Sequence, residues 1–221
     1  MKSPWPARLL TVLLAFSALA LGSIHPWAVA ICATLSTALF TLVLFSSGLS
    51  DRRQTISPVE IAAILLAAFT LLQVVPLPAG LVGLLSPESL EIRRSLHEDV
   101  LGSALPAFVP LTIDVPATTL ALMKLVPALL TFLAARHVTR TEGSAKVLWC
   151  VAISGLLVAI VSLVHRLTGW DNVYDLYEPL YVHKDPLPAP FLNSNHLAGA
   201  LGMASAVTIG LAFDEEDRYK K

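Results

Sequence analysis

The residues best suited to chemistry are Asn193, Asn195 and His196, in the stretch PLPAPFLNSNHLAGALGMA over 186–204, where a long apolar run begins. Amide and imidazole groups can cap a helix, and they can also orient a polar ligand or move a proton. Ser194 or Asn195 is expected to cap the helix that follows. The alternative is that the three side chains form part of a binding site, and the residues alone leave both interpretations open.

Two cations occupy unusual positions for charged side chains. Lys124 lies within an apolar run, where a charge is costly, so it either faces a polar cavity or an anion, or its long stem lifts the ammonium to the interface. Arg166 follows His165 at the end of another run. It either complements the helix dipole or holds an anionic lipid or sugar diphosphate through its planar guanidinium.

The loop GWDNVYDLYEPLYVHKDPLPAP before the opening stretch is rich in aromatic and acidic residues. Aromatic residues at this position are typical of a membrane-interface belt. Beside carboxylates they could also bind sugars, with Asp171, Asp175 and Glu178 as candidate members. The six histidines are scattered and no HExxH pair occurs, so no metal site is expected. The sequence also has no Walker loop and no dinucleotide-binding fingerprint, and no cofactor is expected.

Composition indicates an integral membrane protein. Hydrophobic residues make up 55% and charged residues 14% of the 221 residues, and the mean hydropathy is +0.71. Soluble domains usually contain about 25% charged residues. The net charge of −1 gives no basis for nucleic-acid binding. Cys32 and Cys150 both lie in apolar runs and are interpreted as buried apolar side chains.

The predicted fold is all-α: a polytopic integral membrane protein with about six transmembrane helices in one domain over 1–221. A span needs roughly 20 apolar residues. The predicted spans are Leu9–Ile24, Trp27–Leu49, Val59–Val75, Ala117–Ala135, Val147–Leu167 and Leu192–Phe213. SPVE at Ser57 predicts a capping box with Glu60. SPES at Ser86 predicts a second capped helix, ending near Leu101 and lying on the membrane surface.

Lysine and arginine positions predict the orientation. With a cytoplasmic N-terminus, ten of these cations fall inside and four outside, which places both termini in the cytoplasm. The loops at about 76–116 and 168–191 are then external. The first span could instead be a signal peptide with Ala18 and Ala20 before the cleavage site. The hairpin-like turn GSIHPW favours a retained span.

Several stretches resemble the O-antigen ligase and O-antigen polymerase family of bacterial membrane proteins. The most specific is HRLTGWDNVYDLYEP…FLNSNHLAGALGMA, whose Phe191, Asn193, Asn195, His196, Ala198 and Gly199 match a Phe-x-Asn-x-Asn-His/Phe-x-Ala-Gly run that enters a membrane helix. GSIHPWAVA and LTIDVPATTLALMKLVPALLTFLAAR resemble the first hairpin and a later helix of such proteins. Family members have about ten to twelve spans, so the chain resembles their N-terminal half. The half expected to perform catalysis is not matched.

The resemblance implies a role in surface polysaccharide assembly at the bacterial inner membrane, with a glycan on an undecaprenyl-diphosphate carrier as substrate. It implies substrate-binding roles for Asn193, Asn195, His196, Arg166 and Lys124, the two cations facing a diphosphate. Membrane lipids are expected partners, and a second membrane polypeptide could supply the remaining half. The alternatives are a non-catalytic partner or scaffold subunit and, further from the pattern, a small transporter subunit.

Overall fold

The computed structural model describes residues 5–46, 56–170, 172–177 and 189–219. For residues 46 and 215–219 it describes the backbone only. These residues form eight α-helices: α1 (Trp5–Leu19), α2 (Pro26–Ser46), α3 (Pro58–Val74), α4 (Ala79–Leu85), α5 (Pro87–Ser95), α6 (Val115–Glu142), α7 (Ser144–Thr168) and α8 (Ser194–Tyr219). Two three-residue strands, β1 (Pro76–Pro78) and β2 (Phe108–Pro110), pair antiparallel with Leu77 opposite Val109.

The chain divides into two compact units. The first contains residues 1–53 and 130–221, and the second contains residues 54–129. The core of the first unit is formed by apolar side chains of α1, α2, the second part of α6, and α7: Ala7, Leu10, Leu13, Cys32, Leu39, Val43, Ala134, Val138 and Cys150. Both cysteines are buried free thiols, which confirms their interpretation as apolar core residues.

Helix α1 is short because the chain turns sharply after it. Leu21, Gly22 and Ser23 all have φ near +60°, a left-handed backbone that no right-handed helix continues. The helix therefore ends at Leu19, before the predicted boundary at Ile24. Since α1 provides three residues of the first unit's core, it acts as a core helix of the folded protein.

The second unit consists of α3, the β1–β2 ribbon, α4, α5 and the first part of α6. The predicted capping box at the start of α3 is confirmed: Ser57 N–H donates to Glu60 Oε2 at 2.6 Å, and Glu60 N–H donates to Ser57 Oγ at 3.3 Å. The predicted cap at Ser86 is wrong, because within this described segment the Ser86 side chain makes no cap bond. The predicted helical segment from Ser86 to about Leu101 is present, as α5 followed directly by a π-helical turn, Leu96–Val100.

Four described helices are long and apolar enough to cross a membrane: α2 over Pro26–Phe45, α6 over Val115–Glu142, α7 over Ser144–Thr168 and α8 over Ser194–Asp214. Helices α1 and α3 are apolar but shorter. The all-α membrane architecture is thus confirmed. The fourth predicted span, 117–135, is part of a longer helix, since α6 continues through polar residues until Gly143, whose φ is +96°.

Candidate functional site

Asn193, Asn195 and His196 have different roles at the start of α8. Asn193 is the helix cap, because its Oδ1 accepts the backbone N–H of Asn195 at 2.8 Å and its carbonyl accepts the N–H of His196 and Leu197. The expectation that Ser194 or Asn195 caps this helix is therefore wrong. Asn195 and His196 follow the cap with exposed side chains that the start of the helix does not use.

Residues 189–192 fix the position of this helix start. The Ser162 hydroxyl of α7 donates to the Ala189 carbonyl at 2.7 Å. The Phe191 ring lies against Gly22 so closely that a Cβ there would stand 2.9 Å from the ring. Leu192 packs on a small cluster formed by Leu21, Val173 and Ala189. The α1–α2 turn, the end of α7 and the start of α8 therefore lie at the same end of the first unit.

The segment 172–177 completes this end of the unit. Val173 and Tyr177 form an isolated antiparallel bridge around a turn in which Tyr174 and Asp175 both have positive φ. The Tyr174 hydroxyl donates to the Leu19 carbonyl at 2.5 Å, and burial raises the pKa of this phenol to about 12. Leu21 and Tyr174, which both have positive φ, thus belong to the same apolar cluster. Non-glycine residues in this conformation often cluster at functional sites.

Two histidines of this region have roles that the pattern analysis missed. His165 is buried, its Nε2 lies 3.0 Å from the Asn172 carbonyl, and Trp170 meets it edge-on. Because a carbonyl only accepts, Nε2 bears the proton, and His165 holds the loop onto α7. Its neighbour Arg166 is exposed.

His25 lies in the turn GSIHPW, whose sequence alone indicates only a helical hairpin. Its ring meets Tyr177 edge-on at 5.1 Å. Its Nε2 is enclosed, and within the described part of the chain it has no hydrogen-bond partner. An enclosed polar atom of this kind usually binds water or a ligand. The signal in the sequence was a histidine directly before the Pro26 that starts a span.

The predicted site residues fall into two groups. Asn193, Asn195, His196 and Arg166 are at the same end of the first unit, although no hydrogen bond or ion pair among the described residues joins Arg166 to the other three. Lys124 belongs to the second unit, where it is exposed on the first part of α6. Asp175 is exposed in the 172–177 turn, and Asp171 and Glu178 lie outside the described residues.

This polar end offers groups that suit a hydroxyl-rich ligand: an amide at Asn195, an imidazole at His196 and the rings of Tyr174 and Tyr177. Such groups orient a ligand by hydrogen bonding and stacking. Arg166 adds a permanent positive charge for an anionic group. Among the described residues, no three His, Cys, Asp or Glu side chains are grouped as metal ligands would be.

Comparison with known proteins gives no relative. Neither a family model, nor a curated protein, nor a solved structure matches this chain.

Proposed function

We propose that this protein takes part in surface polysaccharide assembly as a multi-pass protein of the bacterial inner membrane, where it binds a glycan carried on undecaprenyl diphosphate. The resemblance of the 191–199 run to O-antigen ligases and polymerases motivates the substrate. The structural observation that most supports glycan binding is that only one of the three polar side chains at the start of α8 is used by the helix. The Asn193 side chain forms the helix cap, whereas Asn195 and His196 stay exposed at the start of α8, three and four residues after Leu192, which packs on the same cluster as Tyr174 and Tyr177.

Each group has a proposed task set by its chemistry. Asn195 can both donate to and accept from sugar hydroxyls, and His196 can do the same or take up a proton. Arg166 stabilises the charge of the diphosphate through paired N–H donors. Lys124, on the other unit, binds an anionic group of a carrier or lipid headgroup. These assignments concern binding and do not include a bond-breaking step.

We further propose six membrane spans, and the direction of the helices supports this number. Cys150 Sγ donates to the Ala7 carbonyl and Ser154 Oγ to the Thr11 carbonyl, each at 3.4 Å. Both partners advance by four residues, so α1 and α7 run parallel. Helix α2 reverses α1 through the tight turn at Leu21–Ser23.

Gly143 separates α6 from α7, and Val138 of α6 and Val147 of α7, on either side of it, pack in one core, which supports a reversal of direction at this glycine. Helices α2 and α6 therefore cross in the same direction. A crossing by α3, one of the shorter apolar helices, would supply the change of direction between them. With the cations of the sequence placed inside, both termini are cytoplasmic and the polar end of the first unit faces outward.

The test uses cells that depend on this protein for their surface polysaccharide. The double variant Asn195→Ala/His196→Ala removes the two exposed polar groups, and Met203→Ala on the same helix, at a 68% exposed apolar position, is the matched control. We expect polysaccharide to fall by about tenfold or more in the double variant, as the loss of one or two ligand hydrogen bonds predicts. The control should assemble polysaccharide normally.

Normal polysaccharide in the double variant, with wild-type amounts in the membrane, would refute the binding role. Affinity capture from detergent-solubilised membranes then addresses the non-catalytic alternative. If the protein is a scaffold subunit, the capture should recover a second membrane polypeptide with both the wild-type chain and the double variant.

A further inference from the structure

Helix α4 of the second unit exposes an apolar face. Leu81, Leu84 and Leu85 are spaced i, i+3, i+4 and so share one side of the helix. Leu84 is 79% exposed and Leu85 57% exposed, while Val82 is fully buried. The helix AGLVGLL contains no charged or polar side chain at all. In contact with water, this helix would expose more than half of the surface of Leu84 and Leu85 to solvent.

The β1–β2 ribbon places α4 at the end of two apolar helices. Strand β1 begins two residues after α3 ends, and α4 follows β1 directly. Strand β2 leads into α6, and the Thr112 N–H donates to the Gln73 carbonyl at 3.0 Å, which ties the start of α6 to the end of α3. The ribbon is three residues long, about 10 Å of extended chain, so α4 lies close to the level at which both helices emerge.

Polar groups mark that level as the membrane boundary. The Asp114 carboxylate accepts the Ala117 N–H at 2.8 Å and caps α6, whose following turns are mainly apolar but include Thr118, Thr119 and the exposed Lys124. Gln73 is the last polar residue of α3. Between Ile61 and Phe69 every residue of α3 is apolar, and exposed side chains such as Leu65 and Phe69 are expected for a helix surrounded by lipid.

Helix α5 holds α4 at this boundary. The buried Ser89 hydroxyl donates to the Leu111 carbonyl at 3.0 Å, and Arg93 donates to the Thr112 carbonyl. Leu90 packs on Gly83 of α4, where a Cβ would stand only 2.8 Å away. On its outer side α5 presents the exposed ion pair of Glu91 and Arg94 at 3.5 Å.

We propose that α4 lies in the interface of the lipid bilayer, with Leu81, Leu84 and Leu85 among the acyl chains and the Glu91–Arg94 side of α5 in the headgroup layer. The partner of this face is lipid rather than protein, because the ribbon fixes the helix at the depth where hydrocarbon begins. The inference rests on the proposed crossing of α3 and α6 and is separate from glycan binding.

The experiment uses the full chain in nanodiscs of phosphatidylcholine and phosphatidylglycerol, with bimane attached to Leu84→Cys, Glu91→Cys or Phe69→Cys. All three side chains are more than half exposed, so replacement removes little packing, and at Glu91 it removes only the exposed ion pair with Arg94. The two native cysteines are buried, and labelling of the wild-type chain gives the blank. Lipids brominated on the acyl chains quench probes in hydrocarbon, and iodide quenches probes in water.

We expect brominated lipid to quench the probes at 69 and 84 several-fold more strongly than the probe at 91, with iodide giving the reverse order. Quenching at 69 without quenching at 84 would overturn the placement of α4 while leaving the crossing of α3 intact. A probe at 84 protected from both quenchers would mean that protein covers the face, which also overturns the proposal. Failure of brominated lipid to quench at 69 would overturn the crossing of α3 and the proposal together.

Discussion

Asn193 and Asn195 are identical side chains two residues apart, and the path of the chain gives them different tasks. Residues 189–192 are fixed on α7 and the α1–α2 turn, so α8 begins at Ser194 and Asn193 is placed to accept the N–H of Asn195. The sequence NSN suggested Ser194 or Asn195 as the cap, and the structure places the cap at Asn193. The choice among them depends on contacts with Gly22 and Ser162, which are distant along the chain.

Replacing Asn193 with Ala should lower the free energy of unfolding by about 1 kcal/mol, the usual value of a helix cap. Asn193→Asp retains the acceptor and should restore it. Asn195→Ala should leave unfolding unchanged, since the Asn195 contribution to the cap is its backbone N–H. Denaturant unfolding in detergent measures all three, and equal losses for Asn193→Ala and Asn195→Ala would contradict the assignment.

The Tyr174 phenol is predicted to stay protonated well above the ordinary tyrosine pKa. Its neutral form is favoured by burial, and its hydroxyl bonds the Leu19 carbonyl. Its stabilising contribution is full below pH 10, the unfolded pKa, and is lost as the pH rises through the folded pKa of about 12.

Tyr174→Phe should cost about 1 kcal/mol at neutral pH, the net value of one hydrogen bond. Ultraviolet titration of the folded protein should show one phenol fewer ionising near pH 12 in the variant. If every tyrosine of the wild-type protein ionised near pH 10 and none near pH 12, the buried position of the Tyr174 phenol would be refuted.

At the scale of helices, α7 and α8 pack closely because small residues, Gly155 and Ala204, face each other. A Cβ on Gly155 would stand 2.1 Å from the Ala204 Cβ, so the two backbones approach closely. Small residues allow this approach between membrane helices.

Gly155→Ala should therefore force α7 and α8 apart and cost about 1–3 kcal/mol. Gly199→Ala is the matched control, because nothing lies within 4 Å of its new Cβ. The double variant Gly155→Ala/Ala204→Gly should recover much of the loss, and unfolding in detergent compares all of them. Equal effects of Gly155→Ala and Gly199→Ala would disprove the close packing.

Helix α1 is predicted to be essential to the first unit's core. Leu10 belongs to this core and is only 1% exposed, whereas Val12 on the same helix is 54% exposed. Leu10→Ala should cost about 2–5 kcal/mol, and Val12→Ala less than about 1. Thermal unfolding followed by circular dichroism distinguishes them, and similar midpoints would contradict the burial of α1.

Local chemistry explains which elements the sequence could predict. The capping box at Ser57 was predictable because Ser57, Pro58 and Glu60 supply every group of the motif within one turn. The end of α6 was not, since RHVTRTE continues the helix beyond the apolar run until Gly143. The exposed face of α4 was not predictable either, because it depends on the pairing of strands β1 and β2. These two strands are separated in the chain by the helices α4 and α5.

At the scale of the whole molecule, apolar composition was sufficient to predict an all-α membrane protein, as the long apolar helices confirm. The polar end of the first unit was predicted only in part. Asn195 and His196 were named from their position, but His25 became a candidate only when its ring was found against Tyr177. Such a pairing joins two loops far apart in the chain, and no local pattern encodes it.

The central claim is that the start of α8 faces the outer side of the bacterial inner membrane. Ser194→Cys and Ser144→Cys place exposed thiols at the start of α8 and at the start of α7, beside the α6–α7 turn. A membrane-impermeant maleimide is applied to cells with an opened outer membrane and then to lysed cells. The account predicts labelling at 194 before lysis and at 144 only after lysis, and the opposite order would contradict it.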